Sequence, residues 1–485
     1  MSAGLPLVEE LTPVPDPLET CSRLADLPYV LFLDSADTGA PLGRYSFLAA
    51  DPVALVRSKG ALTQQRTGAA DSTRVPTDPI SAVRRLLEPF AAPPLPGLPP
   101  FQGGAAGYVG YDWGAMLERI PRPRYDDLAV PDVLLGVYDW VIAWDHAAER
   151  AWVLSTGLPE KGPGRARRAA ARLTFVKQRL AAERKPSSRR TVRPPDRLSA
   201  PSFPVAAVAD ARRLGLRSNF TREGYLRAAA RVIESIAGGD IFQANLSQRF
   251  EAPLVGTPLE LYGRLRRRNP APFSAFLDFG EVVVAGSSPE RFLKVEDGHV
   301  EARPIKGTRP RGVGPEDDAA LALALAESDK DRAENVMIVD LLRNDLSRVC
   351  QPGTVRAPEL FKLEHYATVH HLVSTVVGDL APERDAADLL RAAFPGGSIT
   401  GAPKVRAMQV IAELEPTQRG PYCGAVGYWS LTGALDTNIV IRSYLVLGDA
   451  VYFQAGGGIV ADSDPAQEYQ ETLDKARALI SALNP

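Results

Sequence analysis

Short strand-like runs, many closed by glycine, alternate irregularly with a few long helical stretches, and this pattern limits the chain to few architectures. Runs rich in β-branched and aromatic residues fall at 29–33, 134–142 and 152–154. Turn residues separate them, among them Gly103, Gly104, Gly107 and Gly110. Further runs fall at 248–251, 273–277, 282–285, 439–446 and 451–455, with helical patterns over 317–348 and 464–483. A parallel series would place one helix between each pair of strands, so the pattern predicts an α+β fold instead.

Local signals sharpen the boundaries. A helix is predicted to start after Thr221, whose hydroxyl can cap the Ala-rich run that follows. The last helix has Asp464 as cap, Pro465 at its first position, and Gln467 where a capping box reaches back. Three segments result: an N-terminal region over 1–158, a basic Pro- and Ser-rich linker over 159–217, and a region over 218–485 where the distinctive residues crowd. Within the linker, 162–185 reads as an exposed basic helix, and 186–204 has no hydrophobic periodicity.

The 485 residues carry a formal net charge of −2, a balance that gives no general attraction to nucleic acid or to an anionic membrane. The basic linker therefore reads as a solvated face. No apolar run is long enough to span a bilayer. Cys21, Cys350 and Cys423 are too scattered for a paired-cysteine metal site, and so few cysteines argue for a reducing compartment. Residues 1–10 lack a signal-peptide pattern, so the cytoplasm is expected.

Four constellations could carry chemistry. Asp331 and Glu334 stand one helical turn apart, and Glu468 and Glu471 repeat that spacing with Lys475 on the same face. Two such helices could present carboxylates to Mg²⁺, although a solvated face has the same spacing. Lys306, beside Gly307 and between Arg303 and Arg309, would become a nucleophile if burial and the arginines lowered its pKa. Gly456, Gly457 and Gly458 could form a turn whose amides hold an anion. The segment from Gly396 to Lys404 has Ala402 and Pro403 where a phosphate loop needs Lys and Ser or Thr, so it reads as a tight structural turn. Finally, Arg442 and Tyr428 could fix a carboxylate near His370 and His371.

In order, these segments resemble the chorismate-utilising enzyme family. The matches include Gly239–Ser247, Ser288–Phe292, Pro304–Thr308, Asp331–Asp345, His371–Ser374, Gly424–Tyr428, Ile439–Ser443 and Glu471–Lys475, with a weaker one at Gly103–Tyr108. The resemblance implies a large two-lobed α/β sandwich of the anthranilate synthase type, with the active site between the sheets. It implies Mg²⁺ bridging the chorismate carboxylate to Glu334 and Glu471, with Asp331 and Glu468 acting through water. Tyr428, Arg442 and Gly456–Gly458 would hold the substrate carboxylates, Glu290 would be the general acid, and His371, Thr308 and Lys475 would complete the pocket.

The branch is read from two positions. Isochorismate and salicylate synthases carry a lysine base where this chain has Gln243, which speaks against water as the nucleophile. Anthranilate synthases carry alanine at the position of Lys306, and aminodeoxychorismate synthases carry lysine. The expectation is amination at ring carbon 4 through a covalent Lys306 intermediate, with anthranilate formation as the alternative. A non-catalytic tryptophan-binding subunit is disfavoured by the intact set Glu290, Glu334, His371, Arg442 and Glu471. No cysteine stands in an amidotransferase setting, so a separate glutamine amidotransferase subunit is implied. Ser35, Tyr45, Ser46, Pro272 and Phe273 resemble the family's tryptophan pocket, and a plain core-strand reading stands beside that one.

Overall fold

The computed structural model describes residues 6–39, 42–68, 70–182, 199–366 and 369–484. Most of the stretch 186–204 lies outside them; its end, Phe203–Pro204, is a short strand. Two sheets, of 13 and 12 strands among the described residues, dominate the fold, and their ladders are antiparallel. The expected α+β sandwich is therefore present. Both sheets are built from both ends of the chain. In the larger, strand Val30–Asp34 pairs with Phe273–Asp278. In the smaller, Gly104–Val109 pairs with Ala425–Ser430.

Side-chain alternation explains the layering. Val30 and Phe32 join the cluster that packs the larger sheet against helices Arg222–Ala237 and Pro465–Leu483, while Leu31 points the other way. Trp140, Ile142 and Trp144 alternate with Val141 and Ala143 in the same manner. Leu31, Phe47, Phe101, Tyr108 and Leu445 form the core between the sheets. A third cluster packs the smaller sheet against helices Asp329–Ser347 and Ala386–Ala393.

The structure corrects several boundaries. The run 134–142 is two strands, Val133–Tyr138 in the smaller sheet and Trp140–Asp145 in the larger. The run 439–446 divides likewise into Leu435–Ile439 and Ser443–Leu447. At both places the chain crosses between sheets inside the core, so hydrophobicity does not mark the break. The helix predicted over 317–348 is two, Pro315–Ala326 and Asp329–Ser347, because the Ser328 hydroxyl caps the second by accepting from the Asp331 amide at 3.3 Å. Gly104 and Gly107 belong to a strand rather than a turn; a Cβ there would stand 2.4 Å from Trp429 O and 2.2 Å from Leu134 O. Thr221 and Asp464 do cap their helices, although Gln467 makes no reciprocal bond among the described residues. The basic helix runs Pro163–Ala181.

Candidate active site

Lys306 is the second residue of strand Ile305–Pro310, whose pairing with Val369–Asp379 shifts register between Ile305 and Thr308. Gly307 takes φ 83° at this bulge, and a Cβ on it would sit 3.0 Å from Asp331 and 2.8 Å from Leu325. The bulge thus brings the strand against helix Asp329–Ser347 and re-aims Lys306. Its Nζ stands 4.0 Å from Glu334 Oε2, with 12% of the side chain exposed. Burial is the main force lowering the lysine pKa; Glu334 opposes it and Lys475 adds to it. The flanking arginines play no such part. Arg303 pairs with Glu364, and Arg309 pairs with Asp331 at 2.9 Å.

The opposite wall is strand Ala450–Ile459, so Gly456–Gly458 lie within a strand and not in the expected turn. Their value is the space they leave. A Cβ on Gly457 would stand 3.0 Å from Glu468 Oε2 and 3.1 Å from Glu471 Oε1. One on Gly458 would stand 1.8 Å from Gln243 Nε2 and 3.4 Å from Lys306 Nζ. Helix Pro465–Leu483 supplies Glu468, Glu471 and Lys475. Lys475 Nζ meets Glu471 at 2.6 Å and donates to Gly456 O at 3.0 Å. Burial works to raise Glu471, but Lys475 prevails and its pKa falls; Glu334 is raised, chiefly by burial.

These carboxylates fit a hard divalent cation. Ser463 donates to Glu468 Oε1 at 2.6 Å, and Oε2 stays buried with no hydrogen-bond partner among the described residues, facing the space beside Gly457. Among the described residues no three His, Cys, Asp or Glu side chains cage a metal by themselves. Mg²⁺ needs no such cage, since it holds several waters and substrate oxygens beside one or two carboxylates.

Glu290 and Arg442 stand where the chain passes between sheets, after strand Val283–Ser288 and before Ser443–Leu447. Burial raises the Glu290 pKa to about 7, against the pull of Ser398 and Lys306. Its carboxyl can therefore hold a proton at neutral pH. Arg442 adopts φ 52°, a strained backbone for a non-glycine residue. It has no carboxylate partner among the described residues, and burial lowers its pKa while Tyr422 opposes. His371 shares a 2.9 Å hydrogen bond with Thr308, and burial, with Arg442, drives its pKa down to about 3, so the imidazole is neutral. His370 instead bonds Asp318 and His365 inside the core.

Tyr428 stands elsewhere than expected. Its ring stacks on Phe101 at 4.8 Å and meets Phe47 at 5.3 Å, on the wall of a second cavity. Alternation along Ala425–Ser430 sends Tyr428 and Val426 into the core between the sheets, and Tyr422 is the tyrosine beside Arg442. That cavity, about 400 Å³, is lined by Ser35, Tyr45, Pro272 and Phe273. Ser46 lies behind it, accepting from the Ser35 amide at 3.0 Å and bonding His146 at 2.7 Å. Ser398 lies in the segment set aside as a phosphate loop and was not expected in the site, whereas Gln243, already a branch-deciding position, places a buried Oε1 here with no partner among the described residues.

The family model for chorismate binding enzymes matches residues 37–481. Aminodeoxychorismate synthase component 1 of Salmonella typhimurium is 43% identical, covering 94% of this chain and 93% of that protein. Anthranilate synthase component 1 of Pseudomonas aeruginosa is 38% identical, over 98% and 94%. The crystal structure of anthranilate synthase component I from Streptococcus pneumoniae superposes with a TM-score of 0.76 at 33% identity, covering 91% of this chain and 92% of that one. The chain belongs to the chorismate-binding enzyme family.

Proposed function

We propose that this family member aminates chorismate at ring carbon 4, giving 4-amino-4-deoxychorismate for p-aminobenzoate and folate synthesis. The observation that carries the reading is the buried Lys306 amine, 4.0 Å from Glu334 and within the field of Glu290. Burial lowers the pKa of this lysine, so it gives up its proton, and exposes the electron pair of a nucleophile, more readily than a lysine in water. In this reading the amine bonds to ring carbon 2, both ring double bonds shift by one position around carbons 1, 6 and 5, and the carbon 4–oxygen bond breaks. Glu290 gives its proton to the departing hydroxyl, which leaves as water. Ammonia then bonds to carbon 4, and the carbon 2–nitrogen bond breaks, returning the pair to Lys306.

Arg442 and the amides of Gly456–Gly458 would hold the substrate carboxylates, with neutral His371 and Thr308 on the pocket wall. Glu334 and Glu471 would hold Mg²⁺, with Asp331 and Glu468 behind bound water. When bound, that ion neutralises charge on the substrate carboxylate and the leaving oxygen. Lys475 must release Glu471 to the metal and can then face the substrate. Ammonia would come from a glutamine amidotransferase partner, and the reaction would run in the cytoplasm. The second cavity would take tryptophan.

Anthranilate formation is the second reading, favoured by relatives of that name at 38–40% identity. Purified protein given chorismate, ammonium and Mg²⁺ separates the two. The main reading expects a non-fluorescent product that yields p-aminobenzoate only after a lyase is added; direct anthranilate fluorescence would overturn it.

A further inference from the structure

We propose that Ser398 is a positioning residue for Glu290, fixing which carboxyl oxygen faces the departing hydroxyl; this rests on the chorismate reading above. Ser398 lies in the short 3₁₀ turn Gly397–Ile399, and its Oγ donates to Glu290 Oε1 at 2.7 Å. The turn is held from all sides. Thr400 Oγ1 donates to Gly396 O at 2.9 Å, and Asn245 Nδ2 and Arg419 Nη1 each donate to Ile399 O at 3.1 Å. The Asn245 amide donates to Thr400 O at 2.8 Å. Gly397 packs so closely that a Cβ would stand 2.6 Å from Leu341 Cδ2. The hydroxyl therefore has a fixed origin.

A general acid works only if its proton sits on the oxygen nearest the leaving group. With Oε1 accepting from Ser398, the proton rests on Oε2. After transfer, the same hydroxyl stabilises the new carboxylate at Oε1. The other groups that face Glu290 are Lys306, Lys475, Cys423 and the Ile305 amide. Lys306 and Lys475 act by charge and the amide by a hydrogen bond. This gives the glycine-rich turn at 396–402 a role that phosphate binding does not.

The test follows chorismate consumption at saturating ammonium and Mg²⁺, whichever amino product forms. Ser398→Ala should lower kcat roughly 10–100-fold with little change in KM. The limb of the kcat–pH profile near pH 7 should move to higher pH, because a bond to the carboxylate form is lost. Ser398→Thr should restore both. In a Glu290→Gln background, Ser398→Ala should change nothing further. A wild-type limb in Ser398→Ala, or an equal further loss in the Glu290→Gln background, would reduce the turn to scaffold and overturn the proposal, even if the melting temperature also fell. Wild-type protein that consumes no chorismate would overturn the functional reading itself, and this proposal with it.

Discussion

Around the cavity lined by Tyr45 and Phe273, the charged groups are closely matched; around Lys306, beside the close Lys475–Glu471 and Arg309–Asp331 pairs, several buried polar groups are not. Arg291 clasps Asp436 at 3.1 and 3.0 Å and reaches Glu301 at 2.8 Å. Asp34, with no exposed side-chain surface, accepts from Tyr262 and Arg266, both at 2.6 Å. For Lys306, by contrast, the nearest carboxylate among the described residues is 4.0 Å away, and Glu468 Oε2 and Gln243 Oε1 are buried with no hydrogen-bond partner among those residues. Arg442 has no acid beside it among the described residues. Both regions lie between the same two sheets. Paired charge fixes a binding wall, whereas unpaired buried charge is a cost the fold carries until a ligand completes it.

That contrast can be broken in stages. Lys306→Ala should have the largest effect: amination at carbon 4, read by product chromatography with ammonium and Mg²⁺, should fall on the order of 10³-fold. Its melting temperature should hold or rise, since a poorly paired buried amine is removed. Removing Mg²⁺ with a chelator should abolish chorismate consumption and leave the melting curve in place; activity that survives chelation would contradict the carboxylate site. Arg266→Ala should reverse the pattern. Losing one partner of a buried pair should cost about 3 kcal/mol in denaturant unfolding, with turnover per folded molecule nearly unchanged. Phe47→Ala should weaken tryptophan binding, measured by calorimetry, and change amination least. A tenfold fall in turnover there would mean that the two regions are coupled.

The fold class was legible because strand and helix periods differ, and the helix caps at Thr221 and Asp464 were legible because their hydrogen bonds are local. The crossings at Asp139 and Val440–Arg442 were not, since the strands on either side are apolar and buried, and the one charged residue at each crossing, Asp139 or Arg442, is itself drawn inside and does not mark a surface turn. Lys306, Glu334, Glu290, His371 and Arg442 could be named from ordered segments. Which tyrosine joins Arg442 could not, because Tyr422 lies in the turn before strand Ala425–Ser430 and only the folded turn brings it to Arg442, while Tyr428 in the strand faces the core between the sheets. Gly456–Gly458 were recognised for the wrong geometry: their missing side chains, more than a turn, admit Gln243, Glu468 and Glu471. Ser398 escaped because its partner is 108 residues away in sequence.

Intact-protein mass spectrometry tests the central claim most directly. Protein mixed with chorismate and Mg²⁺ but no ammonia should gain the mass of chorismate less one water, and peptide mapping should place that mass on Lys306. Ammonium should discharge it, and Lys306→Ala should never acquire it. An adduct that persists in Lys306→Ala, or wild-type amination with no adduct at any time, would contradict a role for Lys306 as the nucleophile.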